Sequence, residues 1–233
     1  MSLRIVIVGY GRMGKEVETL SNAYDCEIVE RLDIHNNVGG EGIDPSRLPA
    51  VDVAIDFSTA DATLINLPRL ASAGINAVIG TTGWSTKTDQ MKQVVADAGI
   101  GVVVAANFSL GVNAFLAIVE QAATLFNQFD DCGAWIHETH HAAKTDAPSG
   151  TALTLQQAMR QSGYETNIDI SSTRVGSVPG IHTVGFDGPF ETVTLTHSAR
   201  DRATFARGAL EAARWIKGKQ GWFTMRDVLG LER

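Results

Sequence analysis

Residues 3–33 read LRIVIVGYGRMGKEVETLSNAYDCEIVERLD, and the order of patterns in this stretch decides the fold. Leu3 to Val8 is apolar and β-branched on both alternating faces, which suits a strand buried between two layers. It runs directly into Gly9-Tyr10-Gly11-Arg12-Met13-Gly14, a G-x-G-x-x-G. Helical spacing follows, with Val17 and Leu20 on one side and Lys15, Glu16 and Glu18 on the other. A second strand, residues 26–33, ends in Asp33, 19 positions after Gly14. Strand, glycine turn, helix, strand and terminal acid, in that order, form the dinucleotide-binding fingerprint. Gly9 lets the chain turn sharply, and Gly11 removes a side chain where a pyrophosphate approaches the backbone. The helix starting near Arg12 presents free N–H groups and a positive dipole end to that phosphate. Asp33 can accept hydrogen bonds from the adenosine ribose hydroxyls. Arg31 leaves the choice between NADH and NADPH open, because a guanidinium can hold a 2′-phosphate that Asp33 would oppose. The plainer alternative is a glycine turn needed only for tight strand–helix packing.

The α/β alternation continues outward. Strands are expected at 51–58, 76–83 and 100–109; helices are expected at 63–74, with Pro68 disturbing it, and at 85–99, with Ser and Thr as caps. The strand ends carry DFS, GTTG and AANFS, on the rim where ligands of such sheets bind. The chain of 233 residues has room for one large domain or two small ones, each with its own core. A net charge of −7 argues against a nucleic-acid partner, so any anionic ligand needs a local cluster of donors. Cys26 and Cys132 stand far apart and in no C-x-x-C pair, which reads as two reduced thiols. No apolar run approaches a membrane span and the N-terminus does not read as a signal peptide, so a cytoplasmic protein without a membrane partner is expected.

The second half changes character. Residues 111–127 read as a long, largely buried helix, residues 132–141 begin as a strand, and residues 151–163 form a helix stopped by Gly163. Between them lies HETHH, residues 137–141, which taken alone fits the His-Glu-x-x-His of a helical zinc site. That motif needs several helical turns, whereas here the preceding residues look extended and an Asp-Ala-Pro-Ser-Gly turn follows. On a strand, His137 and His141 would lie about 13 Å apart, too far to share one ion. No metal is therefore expected.

His140, His141 and Lys144 instead fall within five residues, just before Ser149-Gly150-Thr151 opens a helix. Protonatable groups beside a helix N-terminus with two hydroxyls and a glycine make a carboxylate site. Asp146 can orient Lys144 or cap the helix. The loop thus offers anion binding and a proton, and the first half offers a hydride donor. Together they suggest reduction of a small anionic compound carrying C=N or C=O. A non-catalytic dinucleotide sensor would carry the same fingerprint but would not need the His-His-Lys loop.

ETHHAAKTDAPSGTA, residues 138–152, resembles the E-x-H-H-x-x-K-x-D-A-P-S-G-T-A signature of the dihydrodipicolinate reductase family, also called 4-hydroxy-tetrahydrodipicolinate reductase. The likeness extends through GYGRMG, DFS, GTTG, AANFSLGVN, RVGSVPGIHTV (174–184), THSARDRATFARGAL (196–210) and GWFTMRDVLGL. It implies an α/β chain: a Rossmann-like dinucleotide-binding domain at 1–109, completed by 210–233, and an α+β substrate and oligomerisation domain at 110–209. It implies NADH- or NADPH-dependent formation of tetrahydrodipicolinate in diaminopimelate and lysine biosynthesis, by a homotetramer acting on a small dicarboxylate. By motif matching, His140 and Lys144 take the catalytic places, and His141, Ser149, Gly150, Thr151 and Arg202 hold substrate. Gly9, Gly11, Arg12, Met13, Asp33, Gly80, Thr81, Thr82, Ala105, Ala106, Asn107 and Phe108 match cofactor positions. The glycine loop is one residue shorter than in many members and residues 35–50 are also few. Both lie near the adenosine end, where NADH and NADPH differ.

Overall fold

The computed structural model describes residues 2–231. Met1, Glu232 and Arg233, at the ends of the expected domain ranges, lie outside the described residues. The chain divides into two compact units, Met1–Leu110 with Ala203–Arg233, and Gly111–Arg202.

The first unit is a parallel sheet of β1 (Leu3–Val8), β2 (Cys26–Leu32), β3 (Val53–Asp56), β4 (Asn76–Ile79), β5 (Gly101–Val104) and β10 (Gly221–Phe223). The spatial order is β10-β5-β4-β3-β1-β2. The order reverses between β1 and β3, the switch point beside which ligands of doubly wound sheets bind. Strict alternation sends each strand's side chains to two cores. Ile5, Ile7, Val53, Ile55, Val78 and Val103 pack under α1 (Arg12–Ser21) and α6 (Ala203–Ile216). Val6, Val8, Ala54, Ala77, Ile79 and Val102 pack under α2 (Ala60–Ser72) and α3 (Thr88–Ala98). The strands after β1 and β2 are shorter than the sequence suggests, because their polar ends leave the ladder as loops on the rim. Helix α2 continues through Pro68.

Helix α6 belongs to the first unit from Ala203 onward. Its Ala206, Ala209, Leu210, Ala213 and Ile216 are buried in the β1–β3 core. Gly208 lies against the Phe108 carbonyl so closely that a Cβ there would overlap it. The small residues of ARGALEAA thus let the helix settle directly onto the sheet.

The second unit holds β6 (Gly133–His140), β7 (Ile168–Arg174), β8 (Ile181–Asp187) and β9 (Thr192–Ser198), ordered β7-β6-β8-β9. β7 runs parallel to β6, and the other pairs are antiparallel. Helices α4 (Leu110–Phe126) and α5 (Gly150–Gln161) give Phe115, Val119, Ala123, Leu155 and Met159 to a core with Ala134, Ile136, Ile168, Val184 and Phe186. Trp135, His137 and Thr139 alternate to the other face of β6, which these helices do not cover. No helix among the described residues is long and apolar enough to cross a membrane. The last element is α7 (Met225–Val228), with Thr224 and Asp227 forming a capping box.

Candidate active site

In the first unit the glycine turn closes the C-terminal end of β1. Gly9 has φ +92°, and a Cβ on it would sit 2.6 Å from the Phe57 backbone. Gly14 is equally confined, 2.6 Å from the Gly9 carbonyl. Gly11 has nothing within 4 Å of the position a Cβ would take. Two glycines are thus required by packing, while the third faces open space, as a cradle for a close-lying ligand demands. No side chain caps the N-terminus of α1, so its first N–H groups remain for that ligand. The adjoining cavity, 390 Å³, is lined by Gly9, Tyr10, Gly11, Asp33, Phe57 and Ser58, among others. These residues fit a dinucleotide. Behind them Asp56 is fully buried and accepts from Ser58 N–H (2.8 Å), Thr81 Oγ1 (3.1 Å) and Asn66 Nδ2 (3.3 Å). Burial still pushes its carboxyl above the usual range.

In the second unit β6 carries Glu138 and His140 on the helix-covered face. Glu138 is wholly buried and gathers donors from several directions. Arg174 of β7 forks onto it, Nη1 to Oε2 at 2.9 Å and Nη2 to Oε1 at 2.6 Å. The Ser149 backbone N–H reaches Oε1 at 3.2 Å, and His140 Nδ1 contacts Oε2. Burial works against the charge, but Arg174, Ser172 and His140 outweigh it and hold the Glu138 carboxyl down to about 2. Ser149 caps α5, its Oγ accepting from Ala152 N–H at 3.3 Å. The same Oγ is 3.2 Å from His182 Nε2. Burial first, then the neighbouring His140, lower His182 to about 4, so it is neutral and shares one hydrogen bond with the Ser149 hydroxyl. The His140 and His182 rings meet edge to face, 5.1 Å apart. Lys144 Nζ is paired with both Asp146 oxygens at 2.7 and 2.9 Å. Arg174 Nη2 also donates to the Asp146 carbonyl at 2.6 Å, tying that loop to the buried carboxylate.

This constellation, a helix N-terminus beside two imidazoles and an amine, occurs on a chain whose residues 3–108 match the family described as "Dihydrodipicolinate reductase, N-terminus". Residues 111–229 match its companion, "Dihydrodipicolinate reductase, C-terminus". The chain belongs to the dihydrodipicolinate reductase family. Relatives named 4-hydroxy-tetrahydrodipicolinate reductase include one from Christiangramia forsetii, 36% identical and covering 97% of this chain and 98% of its own. Another, from Archaeoglobus fulgidus, is 38% identical and covers 97% and 100%. A solved dihydrodipicolinate reductase from Paenisporosarcina sp. TG-14, with dipicolinate bound, covers 96% of this chain and 98% of its own at TM-score 0.79 and 25% identity. A probable dehydrogenase from Thermotoga maritima shares the fold at TM-score 0.59 and 13% identity.

The dihydrodipicolinate reductase signature loop gathers His140, Ser149 and the N-terminus of α5 around Glu138. Half-buried His141 and Lys144 lie in the loop between, Lys144 N–H donating to the His141 carbonyl at 3.1 Å. Gly150 is exposed and Thr151 half-buried on the first turn of α5. Arg202 is exposed at the end of the second unit. In the first unit Gly9, Gly11 and Asp33 share the cavity. Arg12 is exposed, and Met13 packs against the core. Gly80 lies against the Phe57 ring, Thr81 spends its hydroxyl on Asp56, and Thr82 is exposed. Ala105, Ala106 and Asn107 follow β5, Asn107 Oδ1 accepting from Ser109 N–H at 2.8 Å. Phe108 is buried, edge-on to Phe57.

Glu138, Arg174 and His182 were not among the sequence candidates. Glu138 stood in the quoted motif as a zinc-site base, and only the strand shows its partner to be Arg174, 36 positions on. The period-2 pattern of β6 was a usable signal, since it places Glu138 on the same face as His140. HETHH is four-fifths strand, so the helical zinc geometry is not formed. Glu138, His140 and His182 do bring ligand atoms within 4.8 Å of one another. That trio does not fit a cation, because the Arg174 guanidinium already occupies the carboxylate and would face the ion.

Proposed function

We propose that this chain performs its family's reaction with His140 as proton donor and the N-terminus of α5 as carboxylate site. The reaction is the NAD(P)H-dependent reduction of 4-hydroxy-tetrahydrodipicolinate in lysine biosynthesis. The ring takes up a hydride and a proton and releases its hydroxyl as water. Bound nicotinamide supplies the hydride; Gly9, Gly11, the first turn of α1 and Asp33 hold the dinucleotide. The substrate's carboxylates meet the uncommitted N–H groups of Gly150 and Thr151 and the Thr151 hydroxyl, with Lys144 and His141 adding positive charge. The observation that carries this reading is the adjacency of proton source and anion site: one carboxylate, Glu138, contacts both His140 and the Ser149 N–H. Lys144, held by Asp146, is the second acid and an anchor.

NADH is the preferred donor in this proposal. Arg31, the one cation of β2, donates from Nε to Glu18 Oε1 at 2.8 Å, and Tyr10 binds the same carboxylate. The guanidinium is thus occupied, while Asp33 remains in the cavity to oppose a 2′-phosphate. The homotetramer implied by the family is supported by the uncovered sheet face bearing Trp135, His137, Thr139, Ile181 and Thr183. Light scattering should then give four times the 24.9 kDa chain mass. We place the enzyme in the cytoplasm, with the rest of an amino-acid biosynthetic pathway and with its two cysteines unbridged.

The test generates the substrate in situ from aspartate semialdehyde and pyruvate with a dihydrodipicolinate synthase, and follows absorbance of NADH and, separately, NADPH. Synthase-dependent oxidation, faster with NADH, is the expected result. No oxidation by protein shown to bind NADH would overturn the reading.

A further inference from the structure

Resting on the reading of His140 as proton donor, we infer that Glu138, clamped by Arg174, is the positioning residue that makes His140 a donor at Nε2 and ties it to the substrate site. Glu138 is ionised and wholly buried, so it can only accept. Its contact with His140 Nδ1 therefore requires the proton to be on Nδ1. The neutral imidazole is fixed as one tautomer, and a second proton can reside only on Nε2. That nitrogen lies beside Gly180, where a Cβ would come within 3.0 Å of it. Glycine at 180 leaves Nε2 unblocked.

Arg174 fixes how the carboxylate is presented. Its forked guanidinium holds both Glu138 oxygens, so the carboxylate keeps one orientation toward the ring. The remaining groups facing His140 are few. β8 contributes His182, with His197 of β9 behind it, and burial lowers both. The loop contributes the Lys144–Asp146 pair, and α5 contributes neutral Ser149. Helix α4 brings Phe115 against His197 rather than a charge. Among the described residues Glu138 is thus the one anion in contact with the imidazole, and through the Ser149 N–H it fixes where the ring stands relative to the first turn of α5.

The test compares Glu138→Gln, Arg174→Gln and His140→Gln with the unaltered enzyme, by kinetics and by 15N NMR of histidine-labelled full-length protein. Glu138→Gln should lower kcat by roughly 10²-fold while KM for substrate and the NADH Kd move less than about threefold. Arg174→Gln should lower kcat in the same way, because Glu138 then lacks the clamp that fixes its orientation. A purely structural role would move KM and the NADH Kd along with kcat. The His140 resonances, assigned by their absence in His140→Gln, should show the Nδ1–H tautomer in the unaltered enzyme. An Nε2–H tautomer there would overturn the inference even if the variants did not fold. Unchanged kcat in Glu138→Gln with His140→Gln inactive would overturn it alone. Full turnover by His140→Gln would overturn the reading of His140 as donor, and this inference with it.

Discussion

His140 and Lys144 stand four residues apart yet meet different surroundings. His140 is buried against Glu138, while Lys144 is partly exposed and paired with Asp146. A change in the first should act on the chemical step and in the second on binding as well. His140→Gln is expected to lose about 10²- to 10⁴-fold in kcat with its NADH Kd unchanged by calorimetry. Lys144→Ala should raise KM and lower kcat together. Glu18 decides a different question, since it holds the guanidinium of Arg31. Glu18→Ala frees that group, so the ratio of kcat/KM for NADPH over NADH should rise, by about tenfold if one charged hydrogen bond is gained. An unchanged ratio would remove Arg31 from the account of cofactor choice.

At the scale of elements, the turn between β1 and α1 separates packing from binding. Gly9 is in the left-handed region and pressed against the Phe57 backbone, whereas Gly11 is unconfined. Gly9→Ala should cost more than about 1 kcal/mol and lower the thermal midpoint of the unliganded protein. Gly11→Ala should leave that midpoint in place and weaken NADH binding, because its methyl fills only the ligand's space. Equal loss of midpoint in both would mean that the turn is merely structural. Helix α5 offers a similar contrast. Ser149→Ala removes an N-cap, about 1 kcal/mol, and leaves His182 Nε2 without its hydrogen-bond partner.

For the whole molecule, the buried polar cluster predicts how stability responds to acid. His182 is lowered to about 4 in the folded chain from an ordinary 6.5, so the unfolded chain binds the proton first. Stability is complete above pH 6.5 and falls as pH drops toward 4, by up to about 3 kcal/mol. Glu138 is lowered to about 2 from 4.5, so its contribution is present above 4.5 and is lost as pH falls toward 2. Thermal midpoints measured by circular dichroism at constant ionic strength should decline in these two windows. His182→Gln should shrink the decline between pH 6.5 and 4 to the part that buried His197 contributes. A flat midpoint across that window in the unaltered protein would contradict the neutral, buried state assigned to His182.

Local pattern carried much of this. The buried strand, the G-x-G-x-x-G and Asp33 announced the doubly wound unit because they fall within one continuous β-turn-α-β stretch, where chain geometry leaves little choice. HETHH was legible as strand from the turn residues that follow it, and the loop at 140–151 as a site from its clustered charges and helix cap. What sequence could not supply was the partner of a buried charge. Arg174 reaches Glu138 only because β7 pairs in parallel register with β6, placing Arg174 opposite His140. His182 joins them because β8 sets it opposite Glu138. The tying of Arg31 to Glu18 across 13 residues depends in the same way on how α1 lies along β2. Periodicity fixes which face a residue takes, but the neighbour across a sheet is chosen by register. Register is set by the packing of the whole unit.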